Sequence, residues 1–132
     1  DLATPKLSAD AYTEILRKHF KGKLPRFDLI LLGLGDDGHT ASLFPCTNAL
    51  VVNDKWITVG ESNSQKRITF TSLLLSNAKK VVFLVSGNAK QLALQRLLDP
   101  DESWERTPAK LVKPKSEILV LADEAAINKS LP

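Results

Sequence analysis

This sequence predicts an open, mainly parallel α/β sheet with flanking helices, on three observations. Two short continuous apolar runs, Phe27 to Leu32 and Val81 to Val85, read as strands buried on both faces. Each is followed within two residues by a glycine, the punctuation expected at a strand's C-terminal end. Stretches with helical spacing separate the strands, and alternation of that kind builds parallel sheets. A length of 132 residues, 43% hydrophobic and 25% charged, suits one Rossmann-like domain over residues 1–132.

In chain order, Ser8 is placed to cap a helix running to about Phe20, with Tyr12, Ile15, Leu16 and Phe20 on one face. Gly22 and Pro25 end it before the Phe27 strand. Ala41 to Phe44 has room for one helical turn before Pro45. Trp56 to Val59 and Ile68 to Phe70 are rich in β-branched and aromatic residues and read as strands. Thr71 or Ser72 caps a short helix through Leu73 to Asn77. After the Val81 strand, Ser86-Gly87-Asn88 leads into a helix from Ala89 to Leu98, which Asp99-Pro100 stops. Residues 100 to 117, with Pro108, Pro114 and many charges, read as a surface connection. Ile118 to Leu121 is a last strand, and Asp123 to Ile127 a terminal helix.

Composition excludes several classes. No apolar run nears the ~20 residues that span a bilayer, so no membrane partner is expected. Lys and Arg total 18 against 15 Asp and Glu, a net charge of +3 spread along the chain. Without an arginine-rich block or interleaved aromatics, nucleic acid is not an expected partner. The single cysteine, Cys46, cannot close an intrachain disulfide, which favours a reducing, cytoplasmic setting. With no methionine and no leader at its start, the sequence reads as a piece of a longer product or a processed chain.

The chemistry concentrates in residues 27 to 45, FDLILLGLGDDGHTASLFP. Gly33, Gly35 and Gly38 satisfy G-x-G-x-x-G after a strand, a dinucleotide fingerprint. Pro45, however, leaves no long helix to face a pyrophosphate, and Asp36 and Asp37 would repel one. A second reading makes His39 an acid–base residue whose ring is oriented by Asp37. A third leaves His39 as a turn histidine with an aspartate capping the turn. His19, beside Lys18 at a helix end, reads as a surface residue.

No G-x-S-x-G surrounds Ser42 or Ser86, and two histidines with one cysteine make no zinc set. Magnesium on Asp36 and Asp37 is conceivable but unneeded, so no metal or cofactor is expected. Ser86-Gly87-Asn88-Ala89-Lys90 reads as a phosphate cradle or an ordinary capped junction. Arg67 is a further anion contact or a strand-edge charge.

These residues resemble the 6-phosphogluconolactonases, within the group that includes glucosamine-6-phosphate deaminase and ribose-5-phosphate isomerase. The likeness runs through FDLILLGLGDDGHTASLFP, KRITFTSLLLSNAKKVVFLVSGNAKQLAL, TPAKLVKP and LVLADEAA. Deaminases share the glycine core but continue with a glutamate-bearing run, where this chain has Thr40-Ala41-Ser42-Leu43-Phe44-Pro45. The resemblance implies a truncated sugar-phosphate isomerase/lactonase domain acting on 6-phospho-D-glucono-1,5-lactone. His39 would be its acid–base residue, Asp37 the orienting partner, and Lys90 and Arg67 the phosphate contacts. Gly35, Gly38 and Thr40 would line the substrate, with the amide after Gly38 or the Thr40 hydroxyl facing the oxyanion. Relatives generally carry glycine where Cys46 stands. They also carry a preceding strand, phosphate loop and arginine. Residues 1–132 then correspond to a C-terminal portion that a further segment or second chain would complete.

Overall fold

A proline at the first helical position loses no hydrogen bond and presets φ. The first helix of the computed structural model, which describes residues 4–127, begins there: α1 spans Pro5–His19. Its start therefore lies ahead of the expected Ser8 cap, and Thr4 precedes it without a side-chain bond. Ala9 and Leu16 are buried, whereas Ile15 faces solvent, so the apolar stripe is narrower than its spacing implied.

Strand β1 (Ile30–Gly33) starts three residues later than the apolar run. It pairs in parallel with β4 (Lys80–Val85), which pairs in parallel with β5 (Glu117–Ala122). Cross-strand partners Leu32, Phe83 and Val120 share one face, and these residues belong to the main core. Ala93 and Leu94 of α3 (Gln91–Leu98) pack into that core as well. The opposite face is largely open, although Val82 on it is buried. Leu31 is 58%, Leu84 49% and Leu121 56% exposed, which corrects the expectation of strands covered on both sides.

The two middle strands lie outside this sheet. β2 (Ile57–Ser62) and β3 (Gln65–Phe70) form a separate antiparallel hairpin. Its two-residue loop, Asn63-Ser64, has φ of 50° and 62°, the double left-handed geometry that matches strand twist in tight hairpins. α1 lies on this hairpin: Tyr12 packs on Phe70, with ring centroids 5.8 Å apart, and Phe27 stacks on Phe70 at 5.8 Å. Thr71 caps α2 (Ser72–Leu75) as expected, accepting from the Leu74 amide at 3.4 Å.

Three local expectations fail for physical reasons. Residues 41–44 form no helical turn: a bridge between Thr40 and Leu43, with Ala41 at φ 51°, makes a tight reversal. Residues 123–127 form a turn around the Asp123 carboxylate, which accepts from the Ala126 amide at 2.8 Å. The supposed surface connection dips inward: Thr107, Pro108, Ala109 and Val112 are buried, with a 3-10 turn over Pro108–Leu111.

The two faces of β4 make contrasting predictions. Phe83→Ala should cost about 3–5 kcal/mol, because it empties a closed core site. Leu84→Ala, one residue on, should change stability by about 0.5 kcal/mol or less. Urea midpoints at constant m-value measure both. Equal losses would contradict this assignment of faces.

Candidate active site

Beyond Gly33 the chain folds into a closed loop. The Gly35 amide donates to the His39 carbonyl at 2.8 Å, and the Gly38 amide donates to the Gly35 carbonyl at 2.9 Å. The His39 imidazole lies against Gly35. A Cβ there would sit 2.1 Å from Nδ1 and 2.3 Å from Cε1, closer than any atoms can pack. Gly38 adopts φ +86°, and a Cβ on it would press on the Thr107 backbone at 3.0 Å. The two glycines thus act sterically: one admits the ring, the other turns the chain beneath it.

Asp37 fixes that ring twice over. Its Oδ1 accepts from the His39 amide at 3.0 Å and lies 2.6 Å from Nδ1. A carboxylate only accepts, so Nδ1 carries the hydrogen and the neutral ring keeps its lone pair on Nε2. The His39 side chain is 29% exposed, and its other flank rests on Phe44 at a centroid distance of 4.6 Å. Partial burial pushes the Asp37 carboxyl upward. The His39 amide and ring bonds, the ring's charge when protonated and Asp37's own amide outweigh this and hold it below 3.8. Asp37 therefore remains ionised at neutral pH. Its bonds stabilise the loop above that ordinary value and are lost as acidification passes the lowered one.

Two distant segments brace the loop. The hairpin leans on it through Thr69, whose Oγ1 accepts from the Ser42 amide at 3.1 Å. Gly60 lies so close that a Cβ would fall 1.9 Å from the Ser42 carbonyl oxygen. From the other side, the Ala109 amide donates to the Gly38 carbonyl at 3.1 Å. The Thr107 hydroxyl donates to Glu102 at 3.0 Å, and the Glu102 side chain is only 9% exposed. Composition alone hid Gly60, Thr69, Glu102 and Thr107 as supports. Their roles arise from contacts far apart in sequence.

Among the cationic candidates, Lys90 arrives at the loop from the β4 end, and its ammonium pairs with Asp36. Arg67 pairs across the hairpin with Gly60 and shares the face of Thr69, which leans on the loop. Its guanidinium donates to Gln65 at 3.1 Å. In the segment read as a phosphate cradle, the Gly87 amide is taken by Asp123: its two carboxylate oxygens lie 3.0 and 3.1 Å away.

Several expected roles change. The Thr40 hydroxyl is buried and donates to the Gly33 carbonyl at 2.8 Å, and the His39 amide is held by Asp37. Both proposed oxyanion donors are therefore committed to holding the loop. No helix follows β1 before the short turn Asn48–Val51, so the dinucleotide reading of Gly33, Gly35 and Gly38 has no helix end to use. Asp36 and Asp37 bond to different side chains, Lys90 and His39. Among the described residues, no group of three or more His, Cys, Asp or Glu is placed to hold a metal ion, and no helix is long and apolar enough to cross a membrane. Behind the loop an apolar cavity of about 310 Å³ is lined by Tyr12, Leu31, Ala41, Ser42 and Phe70 among others.

Residues 1–121 match the family model described as glucosamine-6-phosphate isomerases/6-phosphogluconolactonase. The chain is 48% identical over 127 residues to a 6-phosphogluconolactonase of Synechocystis sp., covering 94% of this chain and 53% of that protein. To a 6-phosphogluconolactonase of Nostoc sp. it is 42% identical over 125 residues, covering 92% and 52%. The crystal structure of 6-phosphogluconolactonase from Leishmania guyanensis shares the fold. It superposes with a TM-score of 0.83 at 24% identity over 99% of this chain and 55% of that one. The chain thus spans about half the length of the curated relatives it matches. On the family match, and on close identity over nearly all its own length, this chain belongs to the glucosamine-6-phosphate isomerase/6-phosphogluconolactonase family.

Proposed function

We propose that this chain carries the acid–base centre of a 6-phosphogluconolactonase, hydrolysing 6-phospho-D-glucono-1,5-lactone to 6-phospho-D-gluconate. The observation that carries the reading is the short His39–Asp37 bond, which leaves Nε2 as the basic nitrogen of the ring. Residues 1–132 are taken as the C-terminal portion of a longer α/β domain, completed by a segment outside this sequence or by a second chain. The uncovered sheet face and the relatives' greater length support that view. The lone thiol, exposed Cys46, fits a reducing cytoplasm.

In this mechanism Nε2 of His39 takes a proton from water as the oxygen adds to C1 of the lactone. Negative charge collects on the former carbonyl oxygen. When that intermediate collapses, the C1–ring-oxygen bond breaks and His39 returns the proton to the departing oxygen. Asp37 keeps the hydrogen on Nδ1 throughout and stabilises the imidazolium while it lasts. Lys90, with Arg67 as a further contact, binds the 6-phosphate, and that binding orients C1 towards the base. Gly35 contributes room for the imidazole. A deaminase reading is disfavoured because no glutamate stands just after His39.

His39→Gln should lower kcat by about 10²-fold or more with far-UV circular dichroism unchanged. The assay is acid release above the spontaneous rate, with the chain alone and joined to a complementing segment. Unchanged turnover would remove His39 from the chemistry. Ammonia release from glucosamine 6-phosphate, without lactone opening, would favour the deaminase reading.

Gly35→Ala should cost about tenfold or more in kcat, because the ring must leave its seat. Gly33→Ala, whose Cβ would meet open space, should be much milder. Comparable losses in the two variants would separate activity from the placement of the ring.

A further inference from the structure

The anion-binding elements of this site are satisfied by the protein's own carboxylates. Lys90 is engaged by Asp36, and the Gly87 amide by Asp123. Asp37, the remaining acid of the loop, is engaged by His39. Asp36 therefore stands out as the loop carboxylate whose cation is also the one proposed to hold phosphate.

We infer that Asp36 is an affinity-tuning residue: a built-in counter-ion that a ligand's phosphate must displace to reach Lys90. The inference rests on the assignment of Lys90 to the phosphate. An ammonium has three donors, but a carboxylate on it adds repulsion to any arriving dianion. The Lys90 side chain is 29% exposed and that of Asp36 is 65% exposed, so the lysine is the more enclosed member. Asp36 can thus swing into water at little cost when a stronger anion arrives. A phosphate dianion out-competes the carboxylate for Lys90, whereas a neutral sugar lactone has nothing to offer the ammonium. Asp36 thereby lowers the affinity for phosphorylated ligands while leaving that for uncharged ones untouched, so it moderates how tightly the phosphate is held.

The test is a calorimetric titration with inorganic phosphate at low ionic strength, comparing the unaltered chain, Asp36→Asn, Lys90→Gln and the double variant. Asp36→Asn should tighten phosphate binding by about two- to five-fold, the span of an exposed ion pair. Lys90→Gln should weaken it, and the double variant should bind no better than Lys90→Gln alone. If Lys90→Gln weakens binding but Asp36→Asn leaves it equal or weaker, the counter-ion role is overturned while the lysine keeps its ligand. If Lys90→Gln changes nothing, or no protein binds phosphate, the lysine assignment itself fails and the inference falls with it.

Discussion

An imidazole lying on a bare stretch of backbone is the constraint from which the rest of the site follows. His39 can occupy its position only because Gly35 offers no Cβ. Once the ring is there, Asp37 can reach both its amide and its Nδ1. The loop's inward donors are used in closing it: the amides of Gly35 and Gly38, and the hydroxyl of Thr40. A loop that spends its own polar groups on itself gains rigidity, and rigidity is what acid–base geometry requires. It has correspondingly fewer groups left for the developing oxyanion.

Charge follows the same pattern of internal satisfaction. His39 answers Asp37, Lys90 answers Asp36, and the Gly87 amide answers Asp123. Such pairing prevents either sign of charge from standing alone in a partly enclosed place, where an unmatched charge is costly. With His39 neutral, the carboxylates of Asp36, Asp37 and Asp123 are met by one ammonium, so these groups are net negative at rest despite the chain's mild positive balance. Long-range attraction of phosphate would contribute less here than local exchange of partners.

Local chemistry was legible in the sequence; the way segments meet was not. The run Val81 to Val85, the Thr71 cap and the proximity of Asp37 to His39 could each be read from adjacent residues. The hairpin was harder, because Asn63-Ser64 is a less emphatic turn pair than Asn-Gly, and the two strands appeared as separate sheet members. Residues 100–117 misled through their prolines and charges, although Thr107, Pro108 and Ala109 are buried, and Thr107 and Ala109 meet Gly38. Continuous apolar strands implied two covered faces, a rule that presumes the whole sheet is present. The structure also gives a physical meaning to Cys46. Its φ of +57° is a conformation in which glycine is at ease and a side chain is strained.

The buttress supplied by residues 102–112 has a temporal consequence. His39 and its aspartate lie near one another along the polypeptide, yet the floor beneath them comes from residues much closer to the other end. Closing so distant a contact carries a chain-entropy penalty, which generally places it among the later events of folding. During synthesis the imidazole would leave the ribosome well before its support. Chemical competence would then be acquired at a late stage of maturation.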